Sequence, residues 1–257
     1  MQSSSLSPFL ATSRSMLQVL LLGTSLMLGS SAVLAQSAPP SISSAMLGKA
    51  QFPSVLAAVK RDVAQFVQHN LQTRSGTLPN EFPLDINDIQ DLKDAKIGYG
   101  FQVFTIDPKD IVAGRSDLSS MTKPTAVWRF VINLNDKPIG LATVEQVGGI
   151  WETVAYGGAT LAKDVDAMAH VHGNADRSNL RFIRIFQAQS DFLEVVSGND
   201  AKARFAPLHS ARQSLLLQQR TFNAAPGKSD PGNGLLEPAE FMEPLRAAVK
   251  SNMEAFR

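Results

Sequence analysis

The hydrophobic period of the chain changes along its length, and the changes predict its elements. From Pro53 to Arg74, apolar Val55, Leu56, Val59, Val63, Phe66, Val67 and Leu71 recur at steps of three and four. Lys60, Arg61, Asp62, Gln65, Gln68 and Gln72 take the opposite side. This pattern predicts an amphipathic helix, with Pro53 in its first turn and Ser75-Gly76 ending it ahead of Pro79. Leu84 to Ala95 keeps a three-residue rhythm, in which Asp85, Asp88, Asp91 and Asp94 separate Ile86, Ile89 and Leu92. It reads as a short helix with acids near its positive end. The period then drops to two. Strands are predicted over 101–106, 126–134, 139–147 and 150–156, linked by Asn135-Asp136-Lys137-Pro138 and by Gly148-Gly149. Connections this short join antiparallel neighbours.

Helical spacing returns from Thr160 to Val171, through Leu161, Val165, Met168 and Ala169, and Gly173-Asn174 closes it. Leu180 to Gln187 alternates again, with Leu180, Phe182 and Arg184 on one side and Arg181, Ile183 and Ile185 on the other. Phe192 to Val196 is a further strand, and 209–222 and 237–256 are helices. Strands grouped together, not alternating with helices, indicate an α+β domain. The predicted architecture is an antiparallel β-meander covered by amphipathic helices. A long edge strand invites pairing with another chain, so one edge is expected to be covered or used for binding.

The N-terminus follows a different logic. A polar start with Arg14, an apolar run over Met16–Leu28, and Val33-Leu34-Ala35 before Gln36 match a secretory signal peptide over residues 1–35. The apolar run has about 13 residues, short of the roughly 20 that span a bilayer as a helix. Residues 36–52, which include Gln-Ser-Ala-Pro-Pro-Ser, read as a linker, and 53–257 as one domain. Cleavage would remove Arg14 alone among charged residues and leave 23 basic and 23 acidic side chains. That neutral balance argues against a nucleic-acid footprint, and no stable membrane span is expected after cleavage. The chain has no cysteine, so its stability must come from its core. Periplasmic or extracellular localisation follows as the expectation.

Chemistry-bearing motifs are few. In Ser229-Asp230-Pro231-Gly232-Asn233-Gly234-Leu235-Leu236-Glu237-Pro238-Ala239-Glu240-Phe241 the second half resembles the calcium loop of the EF-hand family. Gly234 falls at the sharp turn, Leu236 at the apolar position and Glu240 at the closing bidentate carboxylate. The resemblance implies calcium as a ligand, with Asn233, Glu240 and the nearby Asp230 as candidate donors. Ser229 and Pro231 stand where the family places side-chain ligands. His170-Val171-His172 is the one histidine pair, placed at a predicted helix end. Ser120-Met121-Thr122-Lys123 matches the spacing of a serine nucleophile with a lysine base, but without the companion motifs of that chemistry. No nucleophile elbow, zinc helix or phosphate loop is present.

The expectation is therefore an exported binding or accessory domain for a protein, a peptide or a small ligand. Two alternatives are a hydrolase with an Asp/His site scattered through the sequence and a calcium-responsive module using the C-terminal loop.

Overall fold

The computed structural model describes residues 44–74, 78–196, 202–217 and 234–255. The predicted signal peptide lies outside them. No helix among the described residues is long and apolar enough to cross a membrane.

Among the described residues, seven strands form one sheet in the order β4-β3-β2-β1-β5-β6-β7. β1 is Lys96–Ile106, β2 Thr122–Leu134, β3 Lys137–Val147 and β4 Ile150–Gly157. β5 is Leu180–Ile185, β6 Ser190–Val195 and β7 Arg204–Pro207. The first four strands pair antiparallel, as their sequence predicts. Asn135 and Asp136 both take positive φ, 49° and 61°, in the β2–β3 turn, and Gly148 and Gly149 do so in the β3–β4 turn. Backbone twist in such turns matches that of the flanking strands, which is why these residue types serve there.

The fold is α+β, but the sheet is mixed and not a pure antiparallel meander. β1 and β5 run parallel, with Val103 beside Phe182 and Phe104 beside Ile183. The reason lies in β5 itself. Phe182, Ile183 and Ile185 are all buried, so the strand is apolar on both faces, and a strand of that kind belongs inside a sheet. A second antiparallel block, β5-β6-β7, is thereby joined to the first.

Helices cover both faces. Helix α1, Ser44–Thr73, packs Val55, Val59 and Val63 on Trp128, Phe130, Ile132 and Val144. On the same face, α6 (Pro238–Ala255) sets Phe241, Leu245 and Val249 against Ile183, Ile185, Phe192 and Phe205. The short α2 (Pro108–Val112) and α3 (Leu118–Met121) add Ile111, Leu118 and Met121 to that core. Across the sheet, α4 (Ala159–His172) buries Ala162 and Val165 on Phe101, Val103, Val131 and Phe182.

Three of the predicted helices depart from their sequence patterns. Helix α1 begins at Ser44, inside the stretch read as linker, and runs through Pro53. Phe52 packs against the rings of Trp128 and Phe130, with centroids 5.6 and 6.1 Å away. This contact extends the helix despite the lost backbone donor. The segment 84–95 forms only a 3-10 turn, Ile89–Asp94, held by a capping box between Asp88 and Asp91. Helix α5 is short, His209–Ser214, because Leu216 takes a left-handed φ of 50° that an L-residue helix cannot continue.

Each sheet edge is engaged at one point. Outside β7, Leu236 exchanges two backbone hydrogen bonds with Phe205, at 2.9 and 2.8 Å. Outside β4, side chains of α1 serve instead: Thr153 N–H donates to Asp62 at 2.6 Å, and the Arg61 guanidinium donates to the Trp151 carbonyl at 3.1 Å.

Candidate functional site

Polar burial is uneven. Among the described residues, the buried polar ones are Asn70, Ser190, Asp191 and Glu194, so three of these four lie on β6. Two cross-strand pairs explain its carboxylates. Arg181 stands directly opposite Glu194, and Arg184 directly opposite Asp191. The two arginines are three positions apart, so alternation puts the pairs on opposite faces.

On the α4 face, Arg184 donates to both oxygens of Asp191, at 2.8 and 2.7 Å. Ser210 Oγ donates to Asp191 Oδ2 at 2.8 Å and accepts from the Asp191 N–H at 2.9 Å. This carboxylate is fully engaged.

On the α1/α6 face the arrangement is looser and opens to solvent. Arg181 Nη1 lies 3.2 Å from Glu194 Oε2, with side-chain exposures of 37% and 1%. The alignment is poor, however, and Oε2 accepts no hydrogen bond. Nη1 donates instead to Thr122 Oγ1 at 2.7 Å, and the guanidinium stands 5.1 Å from the centre of the Phe104 ring. The pair forms part of a cleft of about 680 Å³. Asp117, Ser119 and Ser120 come to it from the start of α3, and Lys202 from the segment before β7. Val196, Phe205 and Pro238 supply an apolar wall. The lining thus combines two cations, two carboxylates and two hydroxyls with an apolar surface, in a volume typical of small-ligand sites.

The sequence candidates are dispersed. Asn233 and Asp230 lie outside the described residues. Glu240 sits in the first turn of α6, where its Oε2 accepts the Glu237 N–H at 2.8 Å. Among the described residues, no group of three or more His, Asp or Glu side chains could hold a metal ion. Ser120 lines the cleft and donates its hydroxyl to the Asp117 carbonyl at 3.1 Å. Lys123 pairs with Thr105 along the sheet and is not part of the cleft. The histidines do not converge. His170 and His209 are exposed; the backbone N–H of His209 donates to Asp164 at 2.5 Å. His172 Nε2 is buried without a partner, and burial together with the nearby Arg204 lowers its pKa.

The residues that matter in the cleft, Arg181 and Glu194, went unmarked in the sequence reading. The available signal was a strand carrying arginine on both of its faces, followed by one with an acid on each. No protein-family profile, curated protein or solved structure matches this chain. The cleft and its single Arg181–Glu194 pair are the features of this chain that bear on function.

Proposed function

We propose that this protein is a binding domain whose α1/α6-side cleft takes a short peptide or a peptide-like small ligand. The observation that carries this reading is the Arg181–Glu194 pair beside an open, ligand-sized cleft. A buried ion pair contributes little to stability compared with well-packed apolar residues of the same volume. A reason other than stability is thus needed for keeping one there. A peptide supplies both amide donors and carbonyl acceptors. The cleft answers with acceptors at Glu194, Asp117 and Ser120 Oγ, donors at Arg181, Lys202 and Ser119, and an apolar wall for a side chain. The charges of the lining cancel, which suits a ligand without a strong net charge. The Ser120 hydroxyl is bonded to a backbone carbonyl, and that favours a role in binding over one as a nucleophile.

The test is calorimetric titration of the protein with tripeptides bearing an apolar central residue. Saturable binding is expected, weakened by about tenfold, or about 1.4 kcal/mol, in Lys202→Glu. Lys123→Glu, outside the cleft, should bind as the unaltered protein does. Absence of binding, or equal binding in the two variants, would refute the proposal.

A further inference from the structure

A second cleft lies at the other end of the sheet from the Arg181–Glu194 pair, between α1 and the outer edge of β4. It opens to solvent and measures about 570 Å³, within the range of small-ligand sites. Helix α1 lends it Gln65, Phe66 and His69, and β4 lends it Ile150, Glu152 and Tyr156. Arg61, Gln65 and His69 are spaced four apart, so they line one side of the helix. The Phe66 and Tyr156 rings stack with centroids 4.1 Å apart, and Ile150 is 59% exposed.

The fold uses some polar groups of this cleft and leaves others free. Arg61 and Asp62 bond to each other at 2.7 Å, and they also hold the Trp151 carbonyl and the Thr153 N–H. The guanidinium of the cleft is thereby engaged, and so are both oxygens of Asp62. Gln65, His69 and Glu152 are exposed, and their side chains make no hydrogen bond among the described residues. Arg61 lies near enough to act on Glu152 but forms no ion pair with it. What remains is a carboxylate that only accepts, an amide carbonyl and an imidazole nitrogen.

We propose that this cleft binds a small organic amine, a primary ammonium carried on an apolar body. An ammonium has three donors and no acceptor, which answers the free acceptors at Glu152, Gln65 and His69. The apolar body packs on Phe66 and Ile150. An anion finds the guanidinium occupied and the Glu152 carboxylate opposing it. The site shares no residue with the Arg181–Glu194 cleft and does not depend on the peptide reading.

The test follows the tyrosine ring resonances of the full chain. There are two tyrosines, and Tyr99, packed on the α4 side of the sheet, serves as an internal reference. Tyr156→Phe identifies the second resonance; should that variant not fold, Tyr99→Phe identifies it by elimination. The protein is titrated with phenethylamine and, separately, with 2-phenylethanol, which keeps the ring and exchanges the ammonium for a hydroxyl. A pH of about 8 leaves an alkylammonium charged and histidine side chains in general neutral. The Tyr156 resonance is expected to move saturably with the amine while Tyr99 stays in place. The alcohol, and the exposed-site variant Glu152→Gln with the amine, should each need an about three- to fivefold higher concentration for half-saturation, the scale of an exposed ion pair. Tighter binding of Nα-acetyllysine methylamide than of phenethylamine would overturn a free amine as occupant in favour of a lysine side chain. A Tyr156 resonance unmoved up to roughly 10 mM amine, ten times a millimolar Kd, or equal half-saturation with the alcohol or in Glu152→Gln, would overturn the proposal.

Discussion

β2 and β6 lie in the same sheet but are built on different principles. β2 runs for 13 residues and places Trp128, Phe130 and Ile132 on one face, all buried against α1. β6 is six residues long and buried throughout, yet half of it is Ser190, Asp191 and Glu194. A strand of the first kind secures the fold, since transfer of aromatic and aliphatic surface from water is the dominant favourable term. A strand of the second kind needs partners for each polar group and gains little stability from them. The difference teaches where to look for function: in the half of the sheet that carries charge into its interior.

Breaking the apolar side of this comparison should have the largest effect. Phe130 is fully buried, next to Phe52 and under α1. Phe130→Ala should cost about 3–5 kcal/mol through lost burial and the cavity left behind, read as a lower urea midpoint. Peptide binding in the distant cleft should survive wherever the variant remains folded.

A smaller effect is expected at the β4 edge. Burial pushes the Asp62 carboxyl upward, but hydrogen bonds from Arg61 and from the Thr153 N–H outweigh it and hold the group below the usual carboxylate range. The sign follows directly. A carboxyl with a depressed folded pKa contributes stability that is complete above its unfolded value, about 4. The contribution is lost as pH falls through the lower folded value. Asp62→Asn should therefore flatten the acid limb of the stability profile, with a cost below about 1 kcal/mol at neutral pH because its partner Arg61 is exposed. Asp62→Ala, which leaves the Thr153 N–H without its acceptor, also frees a backbone donor on an edge strand, so sedimentation of that variant should reveal concentration-dependent self-association.

The two principles also account for what the sequence made legible. The β1–β4 block could be read because alternation and turn chemistry are local: Asn135-Asp136 and Gly148-Gly149 mark their own hairpins through positive φ. The parallel junction of β1 and β5 leaves no such mark, because it depends on which long-range partner buries a strand that is apolar on both faces. β7 was missed since four residues, Arg204–Pro207, are too few to show a period. The cleft pair was hidden by a turn. The predicted strand ran on to Gln187, whereas the chain turns at Phe186–Ala188, with Gln189 left-handed at φ 51°. Only that turn fixes the register that sets Arg181 against Glu194. The EF-hand-like spacing is a pattern of the residues alone, and its candidate donors Asn233 and Asp230 lie outside the described residues.

The central claim is that the Arg181–Glu194 pair is kept for binding and not for stability. Equilibrium urea unfolding of the double variant Arg181→Met/Glu194→Leu, beside Glu194→Ala alone, tests it most directly. The single variant should lose about 2 kcal/mol, less than the 3–5 of a wholly buried pair, because 37% of the Arg181 side chain meets solvent. The account predicts that the double variant regains most of this loss and unfolds near the midpoint of the unaltered protein. A double variant as unstable as the single one would contradict it and assign the pair to the stability of the fold.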